Sequence, residues 1–498
     1  MAETPKAIQH RHPIRRDSRD SRAIHLLPGS GGEEICGELH NFCLDDASKE
    51  PYEALSYVWG DQSITRPIVV DGQEIQVTAN LEAALRHIRK PDRTVVIWVD
   101  AICINQGDNA EKSHQVSMMH DIYRNCSQKE LAYGQPNEVL QRSPEIFPKP
   151  RRIFFNLFMS DVMFVNGPRE AHARGSPDSF HEVVRSFACQ DCQDPRDKIY
   201  SLLALANTDR YANLKPDYSK NIAEVYAETF CSMLDETGGD FRCLLGHGFC
   251  DSSLGLPSWI RNFSVVVPRD VVVSDIRRLL TYRLYNTPNG IPGNLVRAVN
   301  KELHLSGFAT DTVQAVGPGV RTVESDDLKA VFSQWLELAP SVPEPTAEST
   351  ARKVLARLMR ADIINDLQAV SQTGIHWRRA LDADIPEEQV WQQFLDGDKW
   401  ALGRAYRGGM EAAINGRAFF VTKSGRMGLC PLGVMAGDQI WVIFGSSVPF
   451  VLRPRNGSGE QSTHYLCGFV GDCYLQGIMD GEAIAERNIP AKGTSIIT

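Results

Sequence analysis

The sequence lacks a long uninterrupted apolar run. Its most apolar late stretch, residues 439–452, is broken by Gly445 and Pro449 and is too short to span a bilayer. Residues 1–22 are polar and rich in arginine, without the apolar segment of a signal peptide. We therefore expect a cytoplasmic protein with no membrane partner, whose residues 1–22 form a disordered basic tail.

An excess of positive charge is also missing. The 53 lysines and arginines are outnumbered by 62 acids, for a net charge of −9. Such a chain does not attract nucleic acid as a whole, so we expect no nucleic-acid partner. The twelve cysteines show no framework spacing, which indicates reduced thiols.

Common catalytic and metal motifs are absent. The sequence has no phosphate loop of the Walker type, no nucleophile elbow and no spacing typical of a histidine-based triad. Cys189 and Cys192 have the spacing of half a zinc site, and His172 and His181 lie upstream, but no second pair completes it. We expect no bound metal and no resident cofactor.

Two strings stand out against these absences, one at residues 52–61 and one at residues 97–106. Each runs from an apolar, β-prone segment into a polar end. Each therefore predicts a buried strand that brings acids and amides to the edge of an open α/β sheet, where such sheets place their ligands.

The segments between and after these strings predict an α/β domain. Asp71-Gly72 between apolar runs is the preferred turn of a two-residue hairpin. Thr78 or Asn80 can cap the helix that follows, and a second helix is expected over residues 109–123. Alternating strands and helices, with a second strand that is apolar on both faces, favour a doubly wound parallel sheet.

Glu53 is the first candidate catalytic residue. Strand alternation places it on one face with Tyr57 and Trp59, both candidate ligand contacts. A carboxylate among aromatic side chains can have a raised pKa, as a general acid or base requires. The alternative is a strand-edge glutamate held in a salt bridge or hydrogen bond.

Polar side chains at two later positions are further candidates for ligand binding. Asp100, Asn105 and Gln106 follow the second strand, where they could bind a ribose or amide group. They could equally satisfy the loop backbone and cap the next helix. In the string at residues 194–197 the capping rules explain Asp194 but not Arg196, which could bind a carboxylate or phosphate bidentately.

Composition divides the chain into further segments. We expect an α/β domain over residues 23–210 and a helical connector over 211–280. Short strands separated by glycine, proline and asparagine predict a small antiparallel β-barrel, formed by residues 281–325 and 399–486. A helical insert over residues 326–398 interrupts it.

Taken together, these strings resemble the fungal heterokaryon-incompatibility (HET) domain. Residues 52–60, 98–106 and 194–205 are similar to three signature segments of that family, in order and roughly in spacing. Residues 216–219 and 256–259 are also similar to these proteins. Five late segments resemble the β-barrel that often follows the HET domain, namely residues 416–420, 428–431, 437–438, 448–450 and 477–482.

The resemblance implies a fold similar to Toll/interleukin-receptor (TIR) domains. It also implies fungal non-self recognition and programmed cell death, with protein partners in incompatibility signalling and self-association. TIR relatives that cleave NAD use one essential glutamate. By that resemblance NAD is a substrate, Glu53 or Glu130 is catalytic, and Asp100 holds the ribose. A non-enzymatic assembly module and a truncated, inactive copy are the alternatives.

The sequence departs from the family pattern after Ser127. There the family continues through an apolar strand and a loop into a helix that bears Gln-Glu, whereas here Lys129-Glu130 follows almost at once. If Glu130 is that glutamate, the sheet lacks one strand at this point.

Overall fold

The computed structural model describes residues 8–46, 50–57, 61–132, 179–187, 192, 194–203, 214–236, 241–246, 253–293, 297–299, 302–323, 327–339, 354–365, 377–398, 401–455, 464–487 and 494–497. The chain divides into two compact units. The first comprises Met1–Asp178 and Tyr200–Asn221, and the second comprises Ser179–Ile199 and Ile222–Thr498.

The first unit is built on one seven-stranded sheet with the strand order β5-β4-β2-β1-β6-β3-β7. The strands are β1 (Asp20–Leu26), β2 (Cys36–Cys43), β3 (Glu53–Tyr57), β4 (Thr65–Val70), β5 (Gln73–Thr78), β6 (Val95–Trp98) and β7 (Gln128–Ala132). A 3-10 helix, Ile8–Arg11, precedes them, and the α-helices are α1 (Ala79–Ile88), α2 (Asp100–Cys103) and α3 (Asn109–Asn125).

This sheet is mixed, so the expected doubly wound parallel sheet is correct only in part. Strand β3 runs parallel to both β6 and β7, and β2 runs parallel to β4. Strand β1 is antiparallel to β2 and β6, and β4 is antiparallel to β5. Short connections explain two of these antiparallel pairs, β1 with β2 and β4 with β5, because a parallel crossover needs a dozen or more residues. Strands β1 and β6 are instead far apart in the chain.

The predicted hairpin and helix cap are confirmed. Asp71 and Gly72 have φ values of 50° and 73°, as a tight turn between β4 and β5 requires. The Thr78 side chain accepts a hydrogen bond from the Leu81 backbone N–H at 3.3 Å, which caps α1.

The chain continues directly from Ser127 into β7, so the expected gap in the sheet is not there. All five residues of β7 pair in parallel with β3, from Glu53 opposite Gln128 to Tyr57 opposite Ala132. Glu130 therefore lies on a strand, opposite Leu55, and not on a helix.

The second unit contains a nine-stranded sheet and a separate two-stranded one. Its strands are β8 (Arg297–Val299), β9 (Glu302–Val320), β10 (Ile363–Asn365), β11 (Trp377–Arg379), β12 (Arg417–Thr422), β13 (Met427–Pro431), β14 (Gln439–Ile443), β15 (Phe450–Pro454), β16 (His464–Asp472), β17 (Tyr474–Leu475) and β18 (Thr494–Ile497). Strand β9 pairs with both β14 and β18, so β9, β14, β15, β16 and β18 form a closed circuit. The expected barrel was antiparallel and ended at residue 486, whereas β18 lies beyond that residue and pairs in parallel with β16.

The second unit also contains helices. They are α4 (Phe180–Phe187), α6 (Ile222–Glu236), α7 (Arg269–Tyr282), α8 (Leu328–Leu338), α9 (Glu388–Leu395), α10 (Arg404–Ile414) and α11 (Glu482–Arg487), while α5 (Asp197–Tyr200) crosses the boundary between the units. Two 3-10 helices, Phe241–Leu244 and Asp382–Asp384, complete the list. In the described parts of the chain, the helices are too short or too polar to cross a membrane.

Candidate functional site

The two strings singled out in the sequence form neighbouring parallel strands of the first unit. Ala54 of β3 pairs with Trp98 of β6. The chain therefore leaves both strands at the same end of the sheet, where Tyr57 and Asp100 lie. Carboxyl ends of parallel strands are where open α/β sheets bind ligands.

Tyr57 and Asp100 are close enough to interact electrostatically. Burial raises the pKa of the Tyr57 phenol far above its usual value, and the negative charge of Asp100 raises it further. A hydrogen bond with the Thr78 side chain opposes this shift in part. Tyr57 therefore stays protonated at neutral pH and can donate a hydrogen bond beside a carboxylate, a combination that suits the hydroxyl groups of a sugar.

Tyr123 of helix α3 supports this end of β3. Its hydroxyl donates to the Leu55 carbonyl at 3.0 Å. Its ring packs edge-on against Trp98, with 5.5 Å between ring centroids. Helix α3 is thereby fixed to β3, which ends at Tyr57, and to β6, which leads to Asp100.

Polar groups of the loop after β6 bond largely to one another. Asp100 accepts a hydrogen bond from the Ala101 N–H at 2.7 Å, and the Gln106 amide donates to the Asp100 carbonyl at 3.0 Å. Asn105, which is buried, accepts from the Gly107 N–H at 3.2 Å. These bonds match the structural alternative for Asn105 and Gln106, which was to satisfy the loop backbone.

A buried ion pair between Arg22 and Glu111, which was not predicted from the sequence, holds this loop through its backbone. Arg22 is 1% exposed and Glu111 is 6% exposed. The guanidinium donates to both carboxylate oxygens, at 2.6 and 3.0 Å, and also to the Cys103 carbonyl at 2.9 Å. Glu111 in turn accepts from the Asn105 N–H at 2.7 Å. Paired in this way, two buried charges fix the ends of the loop.

Residues 8–22 contribute to this support, so the expectation of a disordered tail is wrong for them. Arg22 donates through Nε to the His12 carbonyl at 2.6 Å, and the Gln9 amide donates to the Ile102 carbonyl at 2.7 Å. Composition suggested a solvated basic segment, but the buried partners of Arg22 lie far along the chain. One sequence feature did point to a structural role for Glu111. It stands three residues after Asp108, which caps α3, and this is the spacing of a capping box.

A neutral network continues beneath the same loop. The Trp98 indole donates to the Ser21 hydroxyl at 3.2 Å, and this hydroxyl donates to the Gln115 amide oxygen at 2.7 Å.

Burial raises the pKa of the Cys103 thiol to about 12, so this cysteine is not a nucleophile at neutral pH.

The two candidate glutamates lie at different heights along the sheet. Glu53 begins β3, about 13 Å from Tyr57 along the strand. Glu130 lies on the adjacent β7, opposite Leu55 and two residues before the level of Tyr57. Of the two backbones, that of Glu130 is thus nearer to the Tyr57 end of the sheet.

The remaining candidates lie in the second unit or outside the described residues. Arg196 belongs to the second unit, where its guanidinium binds both oxygens of Asp194, at 2.9 and 2.7 Å. Trp59, Cys189 and His172 lie outside the described residues. Among the residues that are described, no group of three or more His, Cys, Asp or Glu side chains could hold a metal ion.

Comparison with known proteins defines the class. Residues 52–152 match the family model "Heterokaryon incompatibility protein (HET)", and residues 352–489 match the "Het-6 beta-barrel domain". The chain therefore contains a HET domain and a Het-6 barrel domain. Over 88% of its length and 91% of the relative's, it is 22% identical to "Heterokaryon incompatibility protein 6, OR allele" of Neurospora crassa. No solved structure matches the chain.

Proposed function

We propose that this protein acts in fungal non-self recognition, with the HET unit as an effector of programmed cell death and the barrel as its regulatory or sensing partner. The observation that carries the proposal is the joint match to both domain families, extended by similarity to an incompatibility protein over most of the chain. Protein partners in incompatibility signalling and self-association belong to the same proposal.

The mechanism that suits the sheet edge of the first unit is cleavage of the N-glycosidic bond of NAD in a TIR-like manner. Breaking this bond releases nicotinamide and leaves positive charge on the ribose. A glutamate carboxylate would stabilise that charge, and water would then add to the sugar. Asp100 and the protonated Tyr57 would hold the ribose hydroxyls.

Register favours Glu130 over Glu53 as the carboxylate. Its position on β7 is two residues from the level of Tyr57, whereas Glu53 lies four residues away at the other end of β3. A group that acts on a ribose held by Tyr57 and Asp100 must reach the same end of the sheet.

The test is nicotinamide release from NAD by the purified full-length chain. We expect Glu130→Gln to lower the rate at least about 100-fold, and Asp100→Asn to weaken NAD binding. Glu53→Gln is expected to have the smaller effect of the two glutamate variants. Glu38→Gln is the matched control, because Glu38 is exposed on β2, several strands away. Absence of nicotinamide release by the unaltered chain would exclude this mechanism.

A non-enzymatic assembly module is the second candidate. It is supported by the loop hydrogen bonds of Asn105 and Gln106, which turn these amides toward the chain's own backbone. In this case expression in a fungal host would cause death that persists in the double variant Glu53→Gln, Glu130→Gln. Death that requires one of the glutamates would instead favour the enzyme.

A further inference from the structure

Two cysteines of the barrel face one another across neighbouring strands. Strands β13 and β17 are antiparallel, with Leu429 opposite Tyr474. One step further along the same register, Cys430 lies opposite Cys473. The two residues are far apart in sequence, so their meeting is a product of the fold.

The ladder also defines which kind of pair they form. Hydrogen-bonded and non-hydrogen-bonded pairs alternate along antiparallel strands. The Gln476 N–H donates to the Met427 carbonyl at 3.0 Å, so the Cys430–Cys473 position, three steps on, is non-hydrogen-bonded. The Cys473 N–H accordingly donates to the Pro449 carbonyl, on the side away from β13. Cα atoms of such pairs are about 4.5 Å apart, within the range that a disulfide bridges.

Both side chains point into the same apolar core. Cys430 and Cys473 are 0% and 1% exposed and belong to one cluster of the barrel, together with Leu475. The intervening pair, Leu429 with Tyr474, is absent from this cluster. The alternation of faces along both strands therefore places the two side chains on the same face of the sheet.

Both cysteines are present as free thiols. The Cys430 thiol donates to the Ala418 carbonyl at 3.5 Å. Burial raises the pKa of both thiols, and a charge on Cys430 would raise the pKa of Cys473 further, which agrees with their proximity. The pair is thus protonated and slow to react at neutral pH, and it reacts only when the barrel opens locally.

We propose that Cys430 and Cys473 are a site of reversible disulfide formation with a low-molecular-weight disulfide such as oxidised glutathione. One cysteine loses its proton and attacks a glutathione sulfur, which forms a mixed disulfide and releases one reduced glutathione. The second cysteine, also deprotonated, attacks the protein sulfur of that intermediate. The products are the Cys430–Cys473 disulfide and a second reduced glutathione.

This bond would tie β13 to the junction between β16 and β17. Strand β16 belongs to the closed circuit of the barrel, while β13 belongs to the branch that extends from β9 through β12. A covalent link between circuit and branch restricts the unfolded chain and raises the stability of the barrel. The stability of the barrel then depends on the ratio of reduced to oxidised glutathione around the protein.

The experiment equilibrates the full-length chain with defined ratios of reduced to oxidised glutathione, with and without a low concentration of urea to promote opening. Free thiols are then alkylated, and the digested protein is analysed by mass spectrometry. We expect one cross-linked peptide pair, Cys430 with Cys473, two hydrogen atoms lighter than the reduced pair. Cys467 is the internal control, since it is buried on β16 and lies opposite Pro454.

Variants test the consequence for stability. The oxidised chain is expected to melt roughly 5–10 °C above the reduced chain, and Cys430→Ser should abolish this difference while Cys467→Ser preserves it. Peptide mapping of the unaltered chain does not depend on whether a variant folds. Independent alkylation of Cys430 and Cys473 at every glutathione ratio, with or without urea, would overturn the proposal.

Discussion

The buried pair of Arg22 and Glu111 offers the sharpest test of how the loop after β6 is held. The substitution is Glu111→Gln, which keeps the shape of the side chain but removes its charge. The Arg22 guanidinium, 1% exposed, then has no carboxylate among the partners described for it, and one of its donors meets an amide N–H.

The expected loss follows from the burial of both charges. Removing one partner of a buried ion pair leaves an uncompensated charge and costs about 3–5 kcal/mol. That is a large share of the stability of a typical domain, roughly 5–15 kcal/mol. The Asn105 N–H also loses a charged acceptor at 2.7 Å, so the loop itself should open more often.

Hydrogen exchange measured by mass spectrometry can localise this effect. In the Glu111→Gln variant, peptides that cover residues 100–106 should exchange faster, and urea denaturation should show the lower stability. Asp45→Asn is the matched control, because it breaks an exposed pair with Arg19 and should cost less than about 1 kcal/mol. A double replacement by apolar residues, Arg22→Met with Glu111→Leu, removes the unpaired charge and should recover part of the loss. Recovery is incomplete because the Cys103 carbonyl and the Asn105 N–H still lose their side-chain partners.

A small effect of Glu111→Gln would contradict this role of the ion pair. If Glu111→Gln costs no more than Asp45→Asn, and exchange over residues 100–106 is unchanged, the pair does not hold the loop. An equally large loss in the apolar double variant would show that the unpaired charge is not the main cost, and that the lost hydrogen bonds to the backbone are.

Two further predictions concern the same unit. A hydrogen bond from Arg15 lowers the pKa of Asp20 to about 2, so this carboxylate stabilises the fold above the pKa of the unfolded chain, near 4, and the contribution is lost as the pH falls toward 2; NMR titration of Arg15→Gln should show a higher Asp20 pKa. Thr78→Ala removes the cap of α1 and should lower stability by about 1 kcal/mol, whereas Thr78→Ser should retain most of it, as urea denaturation can show.

Local features of the first unit could be predicted from the sequence because they depend on neighbours along the chain. The Asp71-Gly72 turn and the Thr78 cap are of this kind. The two strings were also predicted to be strands, because each combines an apolar run with a polar end, and β3 and β6 are such strands. That they pair directly was not predicted.

Features that depend on distant partners could not be predicted in this way. Arg22 lies in a segment with the composition of a solvated tail, yet its carboxylate partner Glu111 comes from helix α3. The mixed sheet has the same origin, because β1 finds its second neighbour, β6, far along the chain. Glu130 was compared with a glutamate that the family carries on a helix, whereas pairing with β3 makes Glu130 part of a strand.

The closure of the barrel circuit sets an order on its synthesis. Strand β18, Thr494–Ile497, joins β16 to β9, whose first residue is Glu302. During translation the circuit cannot close until residue 497 has left the ribosome, although β9 was made almost two hundred residues earlier. Residues 304–307 of β9, which pair with β18, must therefore wait without this partner, and unpaired strand edges are prone to aggregation. The pace of translation through residues 302–497 therefore sets how long this stretch of β9 stays without its partner.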